Sequence, residues 1–262
     1  MPRVKVIVLR TAGTNCDRET AFAFEKAGAT CELVHINKLV ASSRKLDKYR
    51  ILAIPGGFTY GDDISSGKIL ANEIKYKLKN QVLDFIKKGK LIIGICNGFQ
   101  VLVKSGLLPD TARNFGDIEA SLSINDSGKF EDRWVYLKAG NRQCVWTMGL
   151  EGPIYLPVAH AEGKFIPRDK ETLERMQKNG QIVFSYCDEN GESGKYPHNP
   201  NGSVSNIAGI CGLQGRILGL MPHPERYIRA TQHPRWTRMK KKITTTNGLR
   251  IFQNGVKAAA NL

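Results

Sequence analysis

No two cysteines in this chain form a C-x-x-C pair, although it contains six of them, at Cys16, Cys31, Cys96, Cys144, Cys187 and Cys211. That scatter excludes a zinc ribbon or a thioredoxin-like motif and fits reduced thiols better than a disulfide framework. No uncharged apolar run reaches the roughly 18 residues of a membrane-spanning helix, so no such helix is expected. The opening MPRVKVIVLRTAG has a basic start, but charge interrupts its apolar run and no small-residue cleavage site follows. It reads as a first strand rather than a leader, and a cytoplasmic location is expected. The chain also lacks a G-x-x-x-x-G-K-[ST] phosphate loop, an internal repeat and any long low-complexity segment.

Acidic residues are missing from one region in particular. From Arg226 to the end there are nine Lys or Arg and no Asp or Glu, within a total of 39 basic and 24 acidic residues and a net charge of +15. No recognisable nucleic-acid module accompanies this charge, so a solvated or partner-facing surface is favoured over a dedicated nucleic-acid site. With 262 residues and 41% hydrophobic content the chain can bury a substantial core. A single domain over residues 1–262 is expected, ending in a basic segment at 226–262.

The first half alternates strand and helix. Val4 to Leu9, Thr30 to Ile36 and Arg50 to Ile54 read as strands, with helices over residues 17–27 and from Lys68 to Lys88, each followed by a glycine. Repeated βα units predict an α/β fold: a mostly parallel sheet with helices on both faces and functional groups at the carboxyl ends of the strands. Beyond residue 115 the pattern turns to strands near 118–124, 133–139, 154–159 and 181–187, an antiparallel extension or excursion that returns to the main sheet. Arg216 to Met221 is a late strand, and Gly248 to Ala260 a closing helix.

The segment KLIIGICNGFQVLV, residues 90–103, carries the strongest chemical signal. A β-branched run leads into Gly94-Ile95-Cys96-Asn97-Gly98, and a helical pattern follows. This G-x-C-x-G spacing has the form of a nucleophile elbow, in which flanking glycines permit a strained turn that lifts the nucleophile above the sheet. The neighbouring helix N-terminus favours a thiolate. A buried structural cysteine is the bland alternative, and the two glycines between strand and helix weigh against it.

A thiol nucleophile needs a base and an orienting group. Two His-x-Glu pairs are present, His160-Ala161-Glu162 and His223-Pro224-Glu225, and in extended backbone residues i and i+2 point the same way. His223 follows a clear apolar strand, whereas Pro153 and Pro157 weaken a central-strand reading for the segment before His160. His223 therefore leads. The N–H of Asn97 is one candidate oxyanion donor, and the Pro55-Gly56-Gly57 turn at the end of a neighbouring strand either supplies a second or is simply a turn.

Taken together, these residues resemble the triad glutamine amidotransferase family. Within it the chain is similar to glutaminase subunits of phosphoribosylformylglycinamidine synthases, through Gly13-Thr14-Asn15-Cys16-Asp17-Arg18-Glu19, the run Pro55 to Asp62, Gly94 to Gln100, His160 to Gly163 and Gly219 to Arg226. The resemblance implies Cys96 as nucleophile, His223 as base, Glu225 as its orienter, the Gly57 and Asn97 amides as oxyanion hole, and Gln100 as a contact for substrate glutamine. It gives Cys16 a place in the pattern but not in the triad. It implies no metal and no cofactor in this chain, with ATP and Mg expected on a synthetase subunit that takes the ammonia, and a small accessory subunit beside it. The basic stretch 232–246 departs from the family pattern. A stand-alone cysteine hydrolase of γ-glutamyl or peptide substrates and a basic nucleic-acid-binding protein are the alternative readings.

Overall fold

The computed structural model describes residues 3–42, 46–112, 114–140, 143–212, 214–239 and 244–262. The first half runs β1 (Lys5–Arg10), α1 (Asp17–Lys26), β2 (Thr30–His35), the short α2 (Ile36–Val40), β3 (Ile51–Ile54), α3 (Lys68–Lys77), α4 (Lys79–Lys87), β4 (Leu91–Ile95) and α5 (Asn97–Lys104). The second half adds β5 (Ala120–Ile124), β6 (Glu131–Ala139), β7 (Pro153–His160), β8 (Glu162–Pro167), α6 (Lys170–Lys178), β9 (Ile182–Cys187), β10 (Ile207–Cys211), β11 (Ile217–Leu220) and α7 (Asn247–Ala260).

Local chemistry explains the elements that frame the centre. Each residue of β3, β4, β10 and β11 is buried, which matches their continuous apolar runs and a sheet covered on both faces. Asp17 and Glu19 lie in the first turn of α1 and Lys26 in its last, complementing the helix dipole. All eight residues of α5 are buried, so this helix has no solvent face and sits inside the molecule.

Nine strands form one sheet in the order β2-β1-β3-β4-β11-β10-β9-β6-β7. The pairs from β2 through β11 are parallel and those from β11 through β7 antiparallel, while β5 and β8 make a separate antiparallel pair. Helices cover both faces, with α1 against α7 and α3 against α5. The expected α/β sheet with an antiparallel extension is therefore present. Two details differ: the strand near 118–124, as β5, pairs with β8 outside the main sheet, and the helix expected from Lys68 to Lys88 is two helices. Leu78 leaves helical geometry (φ −119°, ψ 9°) yet keeps its N–H on the Ile74 carbonyl, so the chain bends without losing the apolar stripe. Leu70, Ala71 and Ile74 bury before the bend, and Val82 and Phe85 after it.

The topology places β11 directly beside β4, with Gly219 opposite Gly94 and Leu220 opposite Ile95. A Cβ at Gly219 would overlap the Phe99 ring, so this glycine lets α5 settle onto the sheet next to the elbow.

Candidate active site

Cys96 stands at the end of β4 with φ +51° and ψ −105°, a conformation that costs a non-glycine residue roughly 1–3 kcal/mol. Its surroundings impose it. The Cys96 N–H donates to the Leu220 carbonyl at 2.8 Å, and its carbonyl accepts from the N–H groups of Phe99 and Gln100 at 3.0 and 3.1 Å. A Cβ on Gly94 would lie 2.5 Å from the Gly98 carbonyl oxygen, and one on Gly98 would overlap the Ile54 carbonyl. Both elbow glycines are thus required by contact. The thiol lies 3.7 Å from the Ala159 carbonyl, and Cys96 is only 6% exposed.

His223 arrives from the adjacent strand, fixed by its N–H donating to the Pro157 carbonyl at 2.8 Å. Pro224 then opens a short 3-10 turn, Pro224–Arg226. The extended geometry expected for His223 to Glu225 is replaced by this turn, because the proline's fixed φ suits the first position of a helical turn. Contact is made all the same: His223 Nδ1 is 2.6 Å from Glu225 Oε1, and each residue is 1% exposed. Nδ1 thus carries the proton toward the carboxylate. His223 Nε2 is buried without a well-formed hydrogen bond among the described residues, with the thiols of Cys96 and Cys16 close by. Burial works to lower the pKa of His223, but Glu225 and the two thiols outweigh it and hold the imidazole well above its ordinary value.

The rival pair does not assemble. His160 ends β7, an edge strand, where its prolines are tolerated. Its Nδ1 is 3.2 Å from Asn125 Oδ1, which also accepts the Gly163 N–H at 3.0 Å. Burial first, and the charge of His223 second, push His160 down to about 3, so it is neutral near pH 7. Glu162 turns away, toward Lys104 Nζ at 3.4 Å and the Ser66 N–H at 3.4 Å.

The Pro55-Gly56-Gly57 turn borders the triad. A Cβ on Gly56 would lie 2.9 Å from His223 Cε1, 3.1 Å from Cys16 Sγ and 3.5 Å from Cys96 Cβ. Gly57 has φ +139°, and a Cβ there would come 2.8 Å from the Asn15 nitrogen. Asn97, at the start of α5, has its backbone N–H among the helix-terminal groups that no carbonyl of its own helix can reach. The amide of Gln100, expected to contact substrate, is already engaged: Oε1 accepts from Asn97 Nδ2 at 3.1 Å, and Nε2 donates to the Glu162 carbonyl at 2.6 Å.

Sequence reasoning missed how closely Cys16 approaches His223. Arg226 Nη2 donates to Cys16 Sγ at 3.3 Å, and its Nε pairs with Glu19 at 3.1 Å. Burial pushes the Cys16 thiol up to about 11, against the opposing pull of His223. One potential ligand atom from each of Cys16, Glu19, His223 and Glu225 lies within 4.8 Å of the others. That spacing could hold a cation, and the Arg226 guanidinium already bonds two of the four. The signal was available in the adjacency of Glu225 and Arg226. The first basic residue of the tail is therefore half-buried and bonded to Glu19 and Cys16, while Lys240, Lys241 and Lys242, within the 232–246 stretch, lie outside the described residues. Among the described residues no helix is long and apolar enough to cross a membrane.

An elbow cysteine, a histidine from the neighbouring strand and a glutamate behind it, on a mostly parallel sheet, form a constellation of the glutamine amidotransferase type. The chain belongs to the CobB/CobQ-like glutamine amidotransferase domain family, which it matches over residues 3–258. It is 48% identical to phosphoribosylformylglycinamidine synthase subunit PurQ of Dehalococcoides mccartyi, covering 99% of each chain, and 45% identical to the subunit of that name from Methanococcus maripaludis, covering 96% of each. Among solved structures it is similar to a chain in the structure of PurLQS from Thermotoga maritima, with a TM-score of 0.74, 29% identity and coverage of 98% and 99%. The glutaminase domain of Trypanosoma brucei CTPS, 12% identical with a TM-score of 0.58, shares the fold.

Proposed function

We propose that this chain is the glutaminase component of phosphoribosylformylglycinamidine synthase, releasing ammonia from glutamine for use by a synthetase subunit in purine biosynthesis. The observation that carries the chemistry is the elbow Cys96 beside the 2.6 Å His223–Glu225 pair. The near-complete length match to the PurQ subunits carries the pathway.

In the proposed reaction the Cys96 thiolate attacks the side-chain carboxamide carbon of glutamine, and the Gly57 and Asn97 N–H groups stabilise the oxyanion. The His223 imidazolium gives its Nε2 proton to the departing nitrogen, ammonia leaves, and a γ-glutamyl thioester remains. His223, now neutral, takes a proton from water as its oxygen attacks the thioester, and glutamate departs with the thiolate restored. Glu225 holds the tautomer and balances the imidazolium charge. For Gln100 to touch glutamine it must release one of its two protein partners. ATP and Mg are assigned to the synthetase, a small accessory subunit completes the assembly, and the location is cytoplasmic.

The test is glutamine-dependent and ammonia-dependent synthesis by the assembled complex carrying Cys96→Ala. Loss of the first with survival of the second is expected, and equal loss of both would remove this division of labour.

A further inference from the structure

The segment from Gly57 to Asp62 does not hold its shape by local preference. Gly57, Tyr60, Gly61 and Asp62 all have positive φ, at 139°, 56°, 71° and 54°. Tyr60 and Asp62 pay a steric cost there that the surroundings must impose. On one side the segment is tied to the loop after β1, through Phe58 N–H to the Gly13 carbonyl at 3.0 Å and Tyr60 N–H to the Ala12 carbonyl at 2.8 Å. On the other it grips the Asn97 side chain at two points. The Thr59 hydroxyl donates to Asn97 Oδ1 at 2.7 Å, and Asn97 Nδ2 donates to Asp62 Oδ1 at 3.1 Å and to Gln100 Oε1 at 3.1 Å.

We infer that the Asn97 carboxamide is the part that aligns the two oxyanion donors, with Thr59 as its positioning residue. This deepens the glutaminase reading and rests on it. The two donors come from segments distant in sequence: Gly57 lies two residues before Thr59, and the other N–H is Asn97's own. A bond from Thr59 to Asn97 therefore connects the two halves of the hole at short range. Both residues are buried, so water cannot replace the bond, and removing the hydroxyl leaves Asn97 Oδ1 without its donor. Asp62 is held in turn by the Ser66 hydroxyl at 3.0 Å and the Gly67 N–H at 3.2 Å, which fixes the second grip. Thr59 and the Asn97 side chain act only through the donors they align. Misplacing a donor by about 1 Å costs up to about a hundredfold in rate, and donors that meet charge only in the transition state affect kcat rather than KM.

The experiment uses the chain assembled with its synthetase subunit. Thr59→Val is expected to lower kcat for glutamate release by about tenfold or more with KM within about twofold, and Thr59→Ser to restore it. Alkylation of Cys96 by iodoacetamide displaces iodide at a saturated carbon, builds no oxyanion and should proceed at the wild-type rate. If Thr59→Val does not fold, Thr59→Ala is read by the same criteria. A kcat within about twofold of wild type, or a parallel fall in kcat and alkylation, overturns the inference. Failure of the underlying reading looks different: wild-type complex would release no glutamate, or Cys96→Ala would still release it.

Discussion

Glu225 Oε1 lies 2.6 Å from His223 Nδ1 with both side chains sealed from water, so the charge of the imidazole depends on that carboxylate. Burial alone would lower the pKa of His223, and Glu225 is foremost among the groups that raise it. A raised pKa means that the imidazolium, which in the proposed reaction protonates the departing nitrogen, survives to higher pH. Glu225→Gln leaves burial less opposed, so the proton is lost at lower pH. The alkaline limb of the kcat/KM profile for glutamine is expected to move to lower pH, with a maximal rate reduced about a hundredfold or more. An unmoved alkaline limb would assign that limb to another group.

His160 offers the contrasting case. Held down to about 3 by burial, it carries no proton to transfer near neutrality. His160→Ala is expected to retain covalent labelling of Cys96 by an electrophilic glutamine analogue, while stability to urea falls by about 2 kcal/mol through a lost buried hydrogen bond and a cavity. Loss of labelling equal to that of His223→Ala would reverse the two assignments.

Two glycines separate site from scaffold. At Gly98 an added methyl meets the Ile54 carbonyl, which is backbone and cannot swing aside, so Gly98→Ala should cost about 3 kcal/mol in unfolding. At Gly56 it meets His223 and Cys16 side chains, so Gly56→Ala should abolish glutamine hydrolysis with a smaller change in stability. Denaturant titration beside glutamate release measures both, and the reverse order would show the Gly56 turn to be the structural one.

The 6% exposure of Cys96 bears on control of the reaction. Ammonia released into neutral water becomes mostly ammonium, which cannot attack, so an ungated glutaminase would waste glutamine. The isolated chain is expected to hydrolyse glutamine slowly, and the synthetase subunit with nucleotide and acceptor substrate to raise the rate by about a hundredfold, the worth of one oxyanion donor. Glutamate release by the chain alone, with partner, and with partner plus ligands tests this. Full activity at the first stage would revive the stand-alone hydrolase.

The local parts of this site were legible because short-range sterics write them into short motifs. Gly94 and Gly98 announce the elbow, and the apolar run before His223 announces a strand end. Leu78 was not legible: neither Gly nor Pro marks the bend, which comes from packing. Nor was the approach of Cys16 to His223, since residues joined only through tertiary contact leave no spacing to read. The two His-x-Glu pairs look alike in sequence. What separates them is that one carboxylate meets its histidine and the other meets Lys104, the first pair in a 3-10 turn and the second at the ends of two strands.

The place of β11 between β4 and β10 also has a consequence for how the molecule comes into being. The strand that completes the middle of the sheet, and brings His223 to Cys96, lies in the last quarter of the chain. Because synthesis proceeds from the N-terminus, the emerging polypeptide has no partner for the open edge of β4 until that strand arrives. Pairing so distant in sequence makes folding slow and leaves that edge open to association with other chains. It also means that a truncated or half-made chain holds a cysteine with no base beside it. Glutamine is safe from the enzyme until the enzyme is finished.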